Sequence, residues 1–82
     1  MRSAAVPRFH FDVCEGGYTI PDLGGLELPN VEAAREEAAK AAAKLSQERA
    51  ARKAPPADAS IVVRPSDSLE PIFTVPVPDR AH

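Results

Sequence analysis

The first periodic stretch of the chain is Arg8 to Cys14. Phe9, Phe11 and Val13 alternate with His10, Asp12 and Cys14, a period of two that predicts a half-buried strand. Glu15-Gly16-Gly17 follows, and paired glycines supply positive φ at little steric cost, so a hairpin turn is expected. Tyr18-Thr19-Ile20 resumes the extended pattern. Pro21-Asp22-Leu23-Gly24-Gly25 breaks it again, and Leu26-Glu27-Leu28 is a third short alternating piece, ended by Pro29.

The period then changes. Asn30 is placed as an N-cap, since its side-chain oxygen can accept from an amide of the first helical turn. From Val31 to about Arg52 there are nine alanines and no Gly or Pro. Val31, Ala34, Ala38, Ala41, Ala42 and Leu45 recur at helical spacing and predict one apolar face. Methyl groups bury little area each, so alanine's intrinsic propensity carries much of this helix. Glu32, Glu36 and Glu37 lie early and Arg49, Arg52 and Lys53 lie late, matching the helix dipole. Glu36–Lys40 and Glu48–Arg52 are expected as i,i+4 pairs. A helix of about 20 residues spans about 30 Å, long for this chain, so its last two turns are expected to project beyond the sheet.

Residues 54–59, with Pro55-Pro56, read as a stiff polar linker. Ser60 to Arg64 is a strong strand, Pro65-Ser66-Asp67-Ser68 a turn, and Ile72 to Val77 a last strand with Phe73, Val75 and Val77 on one face. Pro76 lacks an amide donor, which places that strand at a sheet edge. Residues 1–7 read as a flexible arm and 79–82 as a frayed tail. The predicted order is β-β-(β)-α-β-β in one domain over residues 8–78. The expected fold class is α+β: a two-layer sandwich of four or five short, mostly antiparallel strands with one long helix on one face. The opposite face, carrying His10, Asp12, Val62 and Arg64, is expected to be open to water or to a partner.

Composition narrows the function classes. The chain has 82 residues and a formal net charge of −2. Such a balance argues against a protein built to coat nucleic acid, which needs a basic surplus. One cysteine, Cys14, excludes an intrachain disulfide and fits a reducing compartment. No apolar run approaches the length of a membrane helix, and Met1–Val6 is too short and weakly apolar to read as a signal peptide. The expectation is a cytoplasmic protein with no membrane contact.

His10, Asp12 and Cys14 are the natural constellation to test for chemistry, because a Cys–His pair with an acid is a known nucleophile arrangement. On one strand, however, His10 and Cys14 stand four residues apart, about 13 Å along its axis, so they do not touch. As a zinc site the trio has only His82 as a further histidine, and its spacing matches no zinc pattern. Gly16-Gly17 and Gly24-Gly25 do not sit between a strand and a helix as phosphate loops do, and they read as turns. Arg49, Arg52 and Lys53 read as dipole compensation. Tyr18 and Leu23 flank the Pro-Asp turn and are expected to staple it to the core, or else to offer an apolar contact point.

The pattern Pro7-Arg8-Phe9-His10-Phe11-Asp12-Val13, then Gly16-Gly17, Asp22 with Gly25, Glu27-Leu28-Pro29 and Glu32-Ala33-Ala34-Arg35-Glu36-Glu37-Ala38 resembles a family of short bacterial proteins, common in alpha-proteobacteria and known only as a domain of unknown function. The resemblance runs from about Pro7 to Val77 and implies no catalytic residues. More distantly, Tyr18-Thr19-Ile20-Pro21-Asp22-Leu23-Gly24-Gly25 followed by Glu32-Ala33 resembles the core of HicB-type antitoxins. That similarity implies a β-β-β-α core able to bind a small toxin protein.

The functional expectation is a non-enzymatic protein-interaction module, without catalytic, cofactor or metal residues, that forms a homodimer or holds a small protein partner. Its expected surface comprises His10, Asp12, Tyr18, Leu23, Val62 and Arg64. The alternatives are an antitoxin-like or nucleic-acid-associated regulator, and a ligand or enzyme site around His10, Asp12 and Cys14.

Overall fold

The computed structural model describes residues 6–53 and 58–78. Strands β1 (Arg8–Glu15), β2 (Tyr18–Ile20) and β3 (Leu26–Glu27) precede helix α1 (Val31–Ala51), and β4 (Ala59–Pro65) and β5 (Phe73–Pro76) follow it. The five strands form one antiparallel sheet in the order β2-β1-β4-β5, with β3 also paired to β1. Because β4 occupies one side of β1 from Phe9 to Glu15, β2 and β3 share the other side. They make a single edge position, interrupted by the Pro21–Gly25 loop. β3 and β4 are both antiparallel to β1 and therefore parallel to each other, and α1 is the crossover between them.

Register fixes the two faces. Phe11 lies opposite Val63 and Val13 opposite Ile61, while Phe73 and Val75 extend the same face onto β5. Against it α1 lays Ala34, Ala38 and Ala42, all buried, and Phe9, Ile61, Val63 and Val77 complete the core. The small side chains allow a close approach of helix to sheet, at the cost of little apolar area per residue. The helix packs chiefly on β4 and β5. Asn30 caps it as expected, accepting from the Ala33 amide at 2.8 Å. The Gly16-Gly17 turn has φ of 59° and 94°, the left-handed pair that a two-residue hairpin requires.

Several expectations are corrected. Val31, assigned to the buried face, is exposed. The last turns of α1 do not project: Ser46 donates to the Pro78 carbonyl at 2.7 Å and Arg49 pairs with Glu15. Ser46 and Arg49 are buried because their polar atoms find partners at that end of the sheet. Lys40 stands 4.0 Å from Glu37 rather than pairing with Glu36, and Arg52 reaches the Glu48 carbonyl rather than its carboxylate. Of the expected arm, Pro7 is tied down, its carbonyl accepting from the Leu28 amide at 2.9 Å. Of the expected linker, Ala59 already belongs to β4, opposite Glu15. Residues 1–5, 54–57 and 79–82 lie outside the described residues.

Candidate functional site

β1 places His10 and Asp12 on the face away from α1, and β4 brings Arg64 opposite His10 and Val62 opposite Asp12. The expected grouping of these four on one face is therefore met. That face is not open at their end. The Pro21–Gly25 loop folds over it, leaving His10 and Asp12 under a tenth exposed, at 9% and 8%. Val62 and Arg64 are half-buried.

Asp22 is the hub of the loop. Its Oδ2 accepts from the Phe11 amide at 3.0 Å, filling a place on β1 that neither β2 nor β3 reaches. Its Oδ1 accepts from the Gly25 amide at 3.1 Å, closing a turn of the kind that short carboxylate side chains form. Its own amide donates to Asp12 Oδ1 at 2.8 Å, and its carbonyl accepts from His10 Nδ1 at 2.6 Å. A carbonyl only accepts, so Nδ1 carries the proton. His10 Nε2 meets Ser66 Oγ at 3.0 Å, and Arg64 Nε donates to Asp12 Oδ2 at 2.7 Å. Arg8 adds a clip, donating to the Gly24 carbonyl at 2.8 Å and pairing with Glu27 at 3.0 Å. Gly25 has φ +74°, and a Cβ there would meet Arg8 Cγ and His10 Cε1 at 2.9 Å. The turn is thus stapled by polar groups. Tyr18 and Leu23, expected to do it with apolar contacts, are exposed, Leu23 at 85%.

Burial alone would push the Asp12 carboxyl up. The Arg64 hydrogen bond, the Asp22 amide and the positive charge of Arg64 and protonated His10 outweigh it and hold this carboxyl below the ordinary aspartate value. Both ring nitrogens of His10 and both oxygens of Asp12 are engaged within the fold. Cys14 stands apart, its Sγ 3.4 Å from Thr19 Oγ1. Among the described residues, no three of His, Cys, Asp and Glu converge in a way that could hold a metal ion. No helix among them is long and apolar enough to cross a membrane.

The more open chemistry lies on the helix side. The register puts Tyr18 opposite Glu15, Ile20 opposite Val13 and Leu26 opposite Phe9, so all three face the layer that α1 occupies. The helix sits over β4 and β5, and Tyr18, Ile20 and Leu26 remain 59%, 50% and 41% exposed. A cleft of about 320 Å³ lies between Leu26 of β3, Asp22 of the loop and α1, lined also by Phe11 and Ala41, with Glu37, Lys40 and Lys44 at its helix side. Sequence reasoning singled out Tyr18 but not the likewise exposed Ile20 and Leu26, because a period-two pattern says which face a residue takes and not how far a helix covers it. A wider cleft, about 830 Å³, lies at the hairpin end around Cys14, Thr19, Ser60 and Pro76.

Fold and surface together define a small two-layer α+β protein whose polar constellation staples its own loop and whose helix covers only part of its sheet. The model of a family described as a domain of unknown function, DUF6894, matches residues 8–78, and the chain belongs to that family. No curated protein and no solved structure matches it.

Proposed function

We propose that this protein is a non-enzymatic interaction module that engages another protein through the helix-side strip of Tyr18, Ile20 and Leu26. The observation that carries the reading is the partial cover given by α1. A helix is about 10 Å across and strands lie about 4.8 Å apart, so one helix shields about two strands. Four strand positions therefore leave about half of the apolar face uncovered, and uncovered apolar strips rimmed by charge mark protein contacts. The engagement of His10 and Asp12 within the fold supports binding over catalysis.

The test is affinity capture from a lysate of the source cells, with nuclease present, using the wild type and Ile20→Lys. Ile20 is half exposed, so the substitution leaves the core intact. A stoichiometric protein held by the wild type and lost by the variant is the expected result. A wild type that is strictly monomeric and captures nothing would sink the reading. Recovery that vanishes with nuclease would replace it with nucleic-acid binding.

A further inference from the structure

At the hairpin end, Tyr18-Thr19-Ile20 of β2 is the outermost strand of the sheet. Sheet edges are normally blunted by charged residues or proline. The β5 edge has Pro76 within it, whereas β2 contains neither.

The ladder shows which main-chain groups β2 leaves free. Even-numbered positions of β1 and its turn bond toward the β4 side: the Arg8 carbonyl accepts from the Ser66 amide, and the Gly16 amide donates to the Asp58 carbonyl, each at 3.0 Å. Phe11, at an odd position, turns its amide to the opposite side, where Asp22 accepts it. Glu15 and Tyr18 close the two-residue hairpin as a hydrogen-bonded pair, and bonded and unbonded pairs alternate in an antiparallel ladder. Cys14 and Thr19 are therefore an unbonded pair, and the N–H and C=O of Thr19 point outward, away from β1.

The strand is also complementary to itself. A second copy turned about a two-fold axis at Thr19 sets Thr19 opposite Thr19, and Tyr18 opposite Ile20 twice. Thr–Thr and aromatic–β-branched pairs are among those that stabilise antiparallel sheets. The two Thr19 residues exchange both of their outward main-chain bonds. Tyr18 and Ile20, 59% and 50% exposed, cover each other, and the strand brings no charge to the seam.

We propose that β2 pairs with β2 of a second copy of this chain, antiparallel and in register at Thr19, to give one continuous sheet with both helices on the same face. Such a contact uses the same patch on both copies and closes at two. This deepens the interaction-module reading and rests on it. The uncovered strips of both copies lie side by side between the helices, as one apolar floor of four strand positions about 19 Å wide. A further partner of the strip then meets a dimer.

Sedimentation velocity of the full chain tests the pairing. Three residue pairs make a small seam, so a dissociation constant of about 100 μM is expected in a series from about 10 μM to about 1 mM. Tyr18→Lys and Ile20→Glu each set a charge opposite an apolar residue at both ends of the seam, and each should weaken the dimer about tenfold. Both positions are exposed, so the variants keep the fold, which far-ultraviolet circular dichroism checks. Mixed in equal amounts, the two variants should associate as tightly as the wild type, because a mixed dimer sets the new lysine opposite the new glutamate and Tyr18 opposite Ile20. A wild type that stays monomeric, a dimer that both variants leave unchanged, or a mixture no tighter than its components would overturn the assignment. If the wild type stays monomeric yet captures a protein from lysate that Ile20→Lys loses, the module reading stands and this assignment alone falls.

Discussion

Asp12 shows how a residue with the look of chemistry can be structural. Its carboxylate holds Arg64 and the Asp22 amide together at 2.7 and 2.8 Å. Removing it in Asp12→Ala leaves a largely buried guanidinium and an amide without their acceptor, a loss expected to cost about 3 kcal/mol. In a domain this small that is a large share of the total, and the urea midpoint measures it. The native carboxyl titrates below its unfolded value. Its contribution is therefore complete above about pH 4 and is lost as pH falls through the lowered native value. Asp12→Ala should flatten the decline of the urea midpoint below about pH 4; an unchanged slope would show that this carboxylate stabilises nothing. Gly25 makes a second case. Gly25→Ala meets both left-handed strain and the 2.9 Å contacts with Arg8 and His10, whereas at Gly16 a Cβ has open space around it. Gly16→Ala should cost about 1 kcal/mol, and Gly25→Ala clearly more, as thermal melts of the two variants would reveal. Equal losses would mean that Arg8 and His10 simply yield.

The helix was the most legible element. An asparagine cap, an unbroken alanine-rich run and sorted charges all favour the same state. What the pattern did not disclose is which polar residues it buries. Arg49 reads as dipole compensation and Ser46 belongs to no predicted face, yet each is buried because a partner, the Pro78 carbonyl or Glu15, waits outside the helix. Hydropathy along one element cannot register a partner on another. The contact of helix with sheet rests on methyl groups, and Ala38 is fully buried against the strands while Ala39 faces solvent. Ala38→Leu should force the layers apart and cost about 1–3 kcal/mol or more. Ala39→Leu should stay within about 0.5 kcal/mol of the wild type. Chemical denaturation of the pair distinguishes the two, and similar values would contradict the tight seating of α1. Arg35, whose guanidinium lies 4.4 Å from the Phe73 ring centroid, shows the same device at the rim, a charged side chain roofing an apolar one.

At the level of the whole molecule, the element order, the antiparallel sheet and the edge placement of β5 followed from period-two runs, turn glycines and Pro76. The loop over the polar face did not. Pro21-Asp22-Leu23-Gly24-Gly25 reads as a turn, and nothing in its hydropathy reveals that Asp22 would take a strand's place beside Phe11; the clue available was the short carboxylate before two glycines, a turn-closing arrangement. The extent of helix cover was equally hidden, since it depends on where the crossover sets α1 across the sheet. His10 joins two parts of the chain far apart in sequence, Asp22 from the first hairpin region and Ser66 from the last. In cooperative terms the imidazole is a rivet shared by both loops, and a swing of its ring out of place frees the two at once. The amides of Gly25 and Ser66, bonded to Asp22 and to the Arg8 carbonyl, should therefore exchange with deuterium in one shared opening event. In His10→Ala that event should split into two separate, faster ones. Two unequal rates already present in the wild type would mean that the ends of this sheet breathe independently.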